Sequence, residues 1–138
     1  MGQQQLLLIV LGVIVVGIAV VVGISLFNAN AETSTQDSLV SQGTNLGAMA
    51  QQYYKKPVAM GGGGNSFTTS NGGQGFLAFF NNLPQALRVS SDADWTQTVP
   101  AVTDSQVVLT AKPIDVSYLW TVETTVTPTQ IRSHIINP

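Results

Sequence analysis

The first part of the chain is a long run of apolar residues without a charged side chain. The run extends from Leu6 to Phe27, is rich in Val and Ile, and precedes the first charged residue, Glu32. At about 1.5 Å per residue, these 22 positions (6 through 27) form a helix of roughly 33 Å, close to the roughly 30 Å hydrocarbon core of a bilayer. The pattern therefore predicts a membrane-capable helix with small positions at Gly12, Gly17 and Gly23.

A different pattern follows between residues 28 and 54. Apolar residues recur there at spacings of three, four and seven, which is typical of an amphipathic helix; they are Leu39, Val40, Leu46, Met49, Ala50 and Tyr53. Lys55-Lys56-Pro57 provides the first firm helix stop. Thr33 and Gln36 can form a capping box, so two helices with a joint near residues 28–33 and one unbroken helix over residues 3–54 are both possible. Gly43 and Gly47 weaken this helix or allow close neighbours.

A glycine-rich segment separates this helix from the rest of the chain. Seven of the 16 residues from Met60 to Gly75 are glycine. A phosphate-binding loop would need a Gly-Lys-Ser/Thr ending and a following helix, which the segment does not provide. It is therefore predicted to be a linker over residues 57–75 that lies on the surface.

The C-terminal part, residues 76–138, is rich in β-forming residues. Phe76 to Phe80 is ambiguous between strand and helix. The other predicted strands are Leu83–Ser90, Trp95–Val102, Val107–Ala111, Val116–Val126 and Gln130–Ile136, with turn residues between them. We expect an α+β fold in which residues 28–56 pack on an antiparallel sheet of about four strands. Residues 1–27 form a separate apolar segment.

Composition limits the possible functions. Only 9% of residues are charged, the net charge is -2, and there is no cysteine. Disulfides, thiolate metal sites and Cys nucleophiles are thereby excluded. Five basic residues are too few for a nucleic-acid-binding stripe. A surface so poor in charge is expected to pack against copies of itself or to face the cell exterior.

Candidate catalytic residues are sparse. His134 is the single histidine, so no His-based metal cluster can form, and a surface or interface role is expected for it on an edge strand. Asp92 and Asp94 are read as turn residues, because an Asp-x-Asp pair without further oxygen ligands is weak evidence for calcium. Trp95 and Trp120 are predicted to be core or sheet-face aromatics. The sequence thus predicts neither an enzyme nor a bound cofactor or metal.

Four interpretations of the apolar segment can be compared. Ala29-Asn30-Ala31 resembles a signal-peptide cleavage site, but the apolar run is too long and lacks a basic start. A single-pass anchor normally has basic flanks, whereas the nearest basic residue is Lys55. A soluble core helix would need covering on every side, which about 84 remaining residues cannot provide. A helix buried by copies of itself in a polymer fits best.

The order of these elements resembles a type IV pilin or a related pseudopilin. The apolar helix becomes amphipathic, ends near the paired aromatics Tyr53-Tyr54, and leads through a glycine-rich loop to a small sheet. The resemblance covers the whole architecture, and its sequence-specific part lies within about residues 1–54. The family usually has a glutamate at the fifth mature position, where this chain, counted from Met1, has Gln5. Precursors in this family carry a short leader peptide that ends in glycine and is cut off. Gly2 could be that glycine. Otherwise Met1 is the start of the mature chain, or the chain is used without cleavage.

The resemblance implies a structural role. Such a subunit is anchored in the inner membrane, is handled by assembly machinery, and polymerises through residues 1–54 into an extracellular filament with its β-domain outside. The residues expected in the filament core are Gln3, Gln4, Gln5, Leu6, Leu8, Ile9, Leu11, Gly12, Val16, Gly17, Val20, Gly23 and Phe27. The alternative is a membrane-anchored surface binding domain that stays monomeric.

Overall fold

A single helix, α1, runs from Gly2 to Lys55 in the computed structural model, which describes residues 2–137. The helix is continuous, so the two-helix alternative with a joint near residues 28–33 is wrong. Thr33 does not act as a cap, because its hydroxyl donates to the carbonyl oxygen of Ala29 at 3.0 Å inside the helix. The helix ends just before Pro57, which confirms the predicted stop. The chain divides after Ser34 into two compact units.

In the second unit, one face of α1 packs on the sheet. The buried residues of this face are Leu39, Gly43, Leu46, Gly47, Ala50 and Tyr53. They confirm the predicted amphipathic pattern. The two glycines lie where the helix approaches the sheet most closely: a Cβ added at Gly47 would be 3.1 Å from Cγ2 of Val126. Gln51 also donates its side-chain amide to the carbonyl oxygen of Thr127 at 2.9 Å.

The sheet has five antiparallel strands. They are β1 (Ala93–Asp94), β2 (Ala101–Val102), β3 (Val107–Pro113), β4 (Thr121–Val126) and β5 (Ile131–Ile136). The order is β1-β3-β4-β5, with β2 also paired to β3. In β4 the side chains alternate between buried and half-buried positions, as expected for a strand with one face on the core. The α+β architecture is therefore the predicted one, with five strands instead of about four.

The predicted strands over residues 107–111 and 130–136 are confirmed by β3 and β5. The predicted strand over residues 116–126 is too long, because β4 begins only at Thr121. Asp115 accepts hydrogen bonds from the backbone N–H (2.9 Å) and hydroxyl (2.7 Å) of Ser117. This local turn keeps the preceding residues out of the sheet.

The predicted strand over residues 95–102 is largely wrong, since only Ala101 and Val102 pair with β3. Asp94 accepts hydrogen bonds from the backbone N–H of Thr96 (2.8 Å) and the side-chain amide of Gln97 (3.0 Å). These bonds turn the chain away from the extended course. Trp95 still fulfils the core prediction, as does Trp120: their side chains are 1% and 4% exposed.

Two short helices replace further expected strands. Residues 76–80 fall in α2 (Phe76–Asn81), where Phe76 and Phe80, four positions apart, are both buried. The predicted strand over residues 83–90 is wrong, because α3 covers Gln85–Arg88. Pro84 immediately precedes this helix, and its carbonyl oxygen accepts a hydrogen bond from the backbone N–H of Leu87 at 3.0 Å, which begins the helical turn.

The glycine-rich segment is packed against the core. It opens with a short 3-10 turn over Val58–Met60. Further on, the backbone N–H of Gly63 donates to the carbonyl oxygen of Tyr53 at 2.8 Å, and Phe67 is bonded through its backbone N–H to the carbonyl oxygen of Asp104 at 3.1 Å. The Phe67 side chain is fully buried. The segment thus links α1 to the sheet as predicted, although Phe67 and several of its glycines are buried instead of lying on the surface.

Candidate membrane segment and subunit interface

The candidate site is the surface of α1 over residues 6–27. Every bulky apolar side chain in this stretch is exposed, from 50% at Val22 to 73% at Phe27. No part of the described chain covers them. Because apolar surface is driven out of water, a helix with this composition needs an external apolar environment on all sides.

The three glycines of this segment have no structural partner within residues 2–137. A Cβ added at Gly12, Gly17 or Gly23 would meet nothing within 4 Å. Gly43 differs, since a Cβ there would lie 2.8 Å from Cη2 of Trp95. The contacts of the chain with itself therefore explain Gly43 but not the three N-terminal glycines, which leave shallow positions open to a neighbouring helix.

Gln3, Gln4 and Gln5 occupy the first turn of α1, and all three are exposed. The first four backbone N–H groups of a helix lack intrahelical acceptors, and the first turn of α1 contains no acidic residue. Each glutamine amide can donate and accept hydrogen bonds. The arrangement presents neutral polar groups at the start of the apolar segment, where the predicted filament core begins.

The remaining predicted core residues lie on the same exposed helix surface. They are Leu6, Leu8, Ile9, Leu11, Gly12, Val16, Gly17, Val20, Gly23 and Phe27. Within the described residues, α1 is the one helix long and apolar enough to cross a membrane. This criterion concerns length and composition, and a signal sequence would meet it as well.

The second unit, residues 35–138, contains several ionisable side chains with local partners. His134 is on β5, an edge strand, with its Nε2 3.7 Å from Oε1 of Glu123. Asp92 accepts a hydrogen bond from the hydroxyl of Ser38 at 3.1 Å. Among residues 2–137, no group of three or more His, Asp or Glu side chains is placed to hold a metal ion.

A cluster of hydroxyl groups surrounds Asp104 at the base of the glycine-rich segment. Oδ1 of Asp104 accepts hydrogen bonds from Ser70 (2.6 Å), Thr68 and Ser66 (3.3 Å). The bonds from Ser70 and then Thr68 hold the pKa of Asp104 below its ordinary value. These bonds stabilise the ionised carboxylate and fasten the segment to the loop before β3.

A second exposed apolar surface lies on the loop over residues 114–119, and the sequence pattern does not predict it. Val116 and Leu119 fall within the predicted strand over residues 116–126, yet they are 90% and 73% exposed. The Asp115-x-Ser117 turn is the sequence signal that could have identified a loop here.

The pilin resemblance implies a long helix that changes from apolar to amphipathic and packs through its second half on an antiparallel sheet. The structure has this arrangement. Comparisons with known protein families, with curated proteins and with solved structures found no match.

Proposed function

We propose that the protein is a structural subunit of a pilus-like filament, which it builds with copies of itself through residues 1–54. The observation that carries the proposal is the exposure of residues 6–27, which are apolar all round. Copies of the same helix provide the apolar surroundings that the chain itself lacks. The open positions at Gly12, Gly17 and Gly23 support close helix contacts.

The charge distribution supports a polymer over a permanent anchor. No charged side chain lies between residues 1 and 31, so helices can associate without burying an unpaired charge. A stable single-pass anchor gains its orientation from nearby basic residues. In the proposed pathway the membrane holds the subunit before assembly machinery adds it to the filament outside the cell.

A second candidate function is a membrane-anchored domain that stays monomeric. The length of the apolar segment favours it, because residues 6–27 match the thickness of a bilayer core. The two functions differ in what leaves the cell. A filament breaks off when intact producing cells are sheared, whereas an anchored monomer stays with the membrane until detergent is added.

The experiment is shearing followed by electron microscopy of the supernatant. We expect the chain in the sheared fraction as filaments, and we expect Val16→Asp to remove them because it buries a charge in the core. Thr129→Asp is the matched control, since Thr129 lies in an exposed bend between β4 and β5. Recovery of the chain only after detergent extraction, as a monomer, would refute the filament and favour the anchored domain.

A further inference from the structure

The glycine-rich segment contains the one asparagine of the chain that is followed directly by glycine, Asn71 before Gly72. Both residues are exposed, and Gly72 has a φ of 88° with open space where a Cβ would be. Asparagine is among the chemically labile residues of proteins. Because glycine has no side chain, nothing on Gly72 shields its backbone nitrogen from the side-chain amide before it.

The chemical step at this pair needs only water. The backbone nitrogen of Gly72 bonds to Cγ of Asn71, the Cγ–Nδ2 bond breaks, and Nδ2 leaves as ammonia with the proton that the Gly72 nitrogen loses. Water then opens the cyclic imide at either of its carbonyl carbons. The product is aspartate at position 71, or its isomer in which the main chain runs through the side-chain carboxyl carbon.

In the folded chain, hydrogen bonds hold both reacting groups. Nδ2 of Asn71 donates to the carbonyl oxygen of Gly64 at 2.7 Å, which fixes the side-chain amide on a residue seven positions earlier. The backbone N–H of Gly72 donates to the carbonyl oxygen of Thr69 at 3.0 Å. This second bond opposes loss of the proton, because a hydrogen bond to the protonated form of a group disfavours its ionisation.

We propose that Asn71 is a deamidation site whose reaction is held back by the folded glycine-rich segment. The reaction proceeds when the segment opens locally, an event opposed by the bond of 2.6 Å from Ser70 to Oδ1 of Asp104. The product cannot restore the closed form, because a carboxylate accepts hydrogen bonds but cannot donate one to the carbonyl oxygen of Gly64. Each modification is therefore a one-way loosening of the segment.

Peptide mapping by mass spectrometry tests the site and its protection. The full chain in detergent is incubated in mildly alkaline buffer with and without denaturant. Trypsin cleavage after Lys55 and Arg88 then gives a peptide that contains Asn71, with Asn65 and Asn81 as internal comparisons. Deamidation at Asn71 should be at least about tenfold slower in the folded chain, because its hydrogen bonds must break first. Equal rates would overturn the protection, and an unreactive Asn71 in the denatured chain would overturn the site.

Gly64→Ala releases the reacting amide without changing the Asn71–Gly72 pair. Gly64 has a φ of 61°, and a Cβ there would lie 2.7 Å from Cγ2 of Val58, so the carbonyl oxygen that accepts from Asn71 is displaced. Deamidation of the folded variant should be at least about threefold faster than in the unmodified chain. Gly12→Ala, where the Cβ meets nothing within 4 Å, is the matched control. A Gly64→Ala chain that reacts no faster would overturn the role of the Asn71–Gly64 bond.

Asn71→Asp reproduces the product and tests the loosening directly. Phe67 lies in the same segment and is fully buried, so chymotrypsin cleavage after Phe67 reports opening of the segment. We expect faster cleavage there in Asn71→Asp than in the unmodified chain. Thr129→Asp adds the same charge in an exposed bend and should leave the rate unchanged. Equal cleavage of all three chains would overturn the one-way loosening.

Discussion

Replacing Gly43 by alanine tests the close packing of α1 on the sheet. A Cβ at this position would overlap Oγ1 of Thr124 and lie 2.8 Å from Cη2 of Trp95. Both side chains are almost fully buried, and Thr124 shares a hydrogen bond of 2.9 Å with Ser133. Neither side chain can move away without disturbing the core.

Two opposing effects determine the size of the change. Alanine is favoured over glycine inside a helix by about 1 kcal/mol. Overpacking a filled core costs typically about 1–3 kcal/mol, and the overlap with Thr124 places Gly43→Ala at the upper end of that range. The free energy of unfolding should therefore fall by about 1–2 kcal/mol, which corresponds to a fall in Tm of roughly 5–15 °C for a unit of this size.

Tryptophan fluorescence during thermal unfolding of the full chain in detergent is the assay. Both tryptophans, Trp95 and Trp120, lie in the second unit, so the signal reports on that unit. Gly47→Ala is the matched control, because the added Cβ would meet only side-chain methyl groups, Cγ2 of the half-buried Ile131 at 2.9 Å and Cγ2 of Val126 at 3.1 Å, and should cost less than Gly43→Ala. A rise in Tm for Gly43→Ala would refute the reasoning, because it would show that the helix preference of alanine outweighs any overlap with Thr124 and Trp95.

Two further predictions concern Asp104 and Thr33. Hydrogen bonds chiefly from Ser70 and then Thr68 lower the pKa of Asp104 in the folded chain. The ionised carboxylate therefore stabilises the fold at pH values above the unfolded pKa. This stabilisation is lost as the pH falls through the folded pKa. Asp104→Asn should lower Tm near neutral pH, with the difference shrinking below about pH 4; a difference that stays constant from pH 7 to pH 3 would contradict the prediction. Thr33→Ala should change stability by less than about 0.5 kcal/mol and leave the far-UV circular dichroism unchanged, because Thr33 donates to Ala29 within the helix. A loss of about 1 kcal/mol would instead indicate a helix cap.

The long helix could be predicted from sequence because its signals agree over many residues. The spacing of Leu39, Leu46 and Tyr53 indicated the buried face, and Lys55-Lys56-Pro57 indicated the end. The capping pattern at Thr33 was misleading because it is local. A capping box competes with the continuing helix, and nothing in residues 28–33 is a strong breaker.

The errors in the C-terminal part have a common cause. Short apolar or β-rich runs do not distinguish a strand from a short helix or an ordered loop. Side-chain hydrogen bonds at Asp94 and Asp115 turn the chain locally, and Pro84 starts a helical turn. The bonds at Asp94 and Asp115 are local contacts with the residue two positions on, a turn signal that the pattern of apolar residues alone does not contain.

The candidate site was predictable in position but not in full. Exposure of residues 6–27 follows from their composition, because the rest of the chain is too small to cover them. The exposure of Val116 and Leu119 was not predicted, because both lie in the β-rich run that predicts a strand over residues 116–126. Both residues lie outside the sheet, because β4 begins only at Thr121.

Helical reconstruction of sheared filaments by cryo-electron microscopy tests the central claim most directly. The claim predicts a polymer of this chain in which residues 6–27 form a central bundle of helices, with the β-domains on the outside. A chain recovered only as a detergent-solubilised monomer, or a filament in which residues 6–27 lie outside the core, would contradict it.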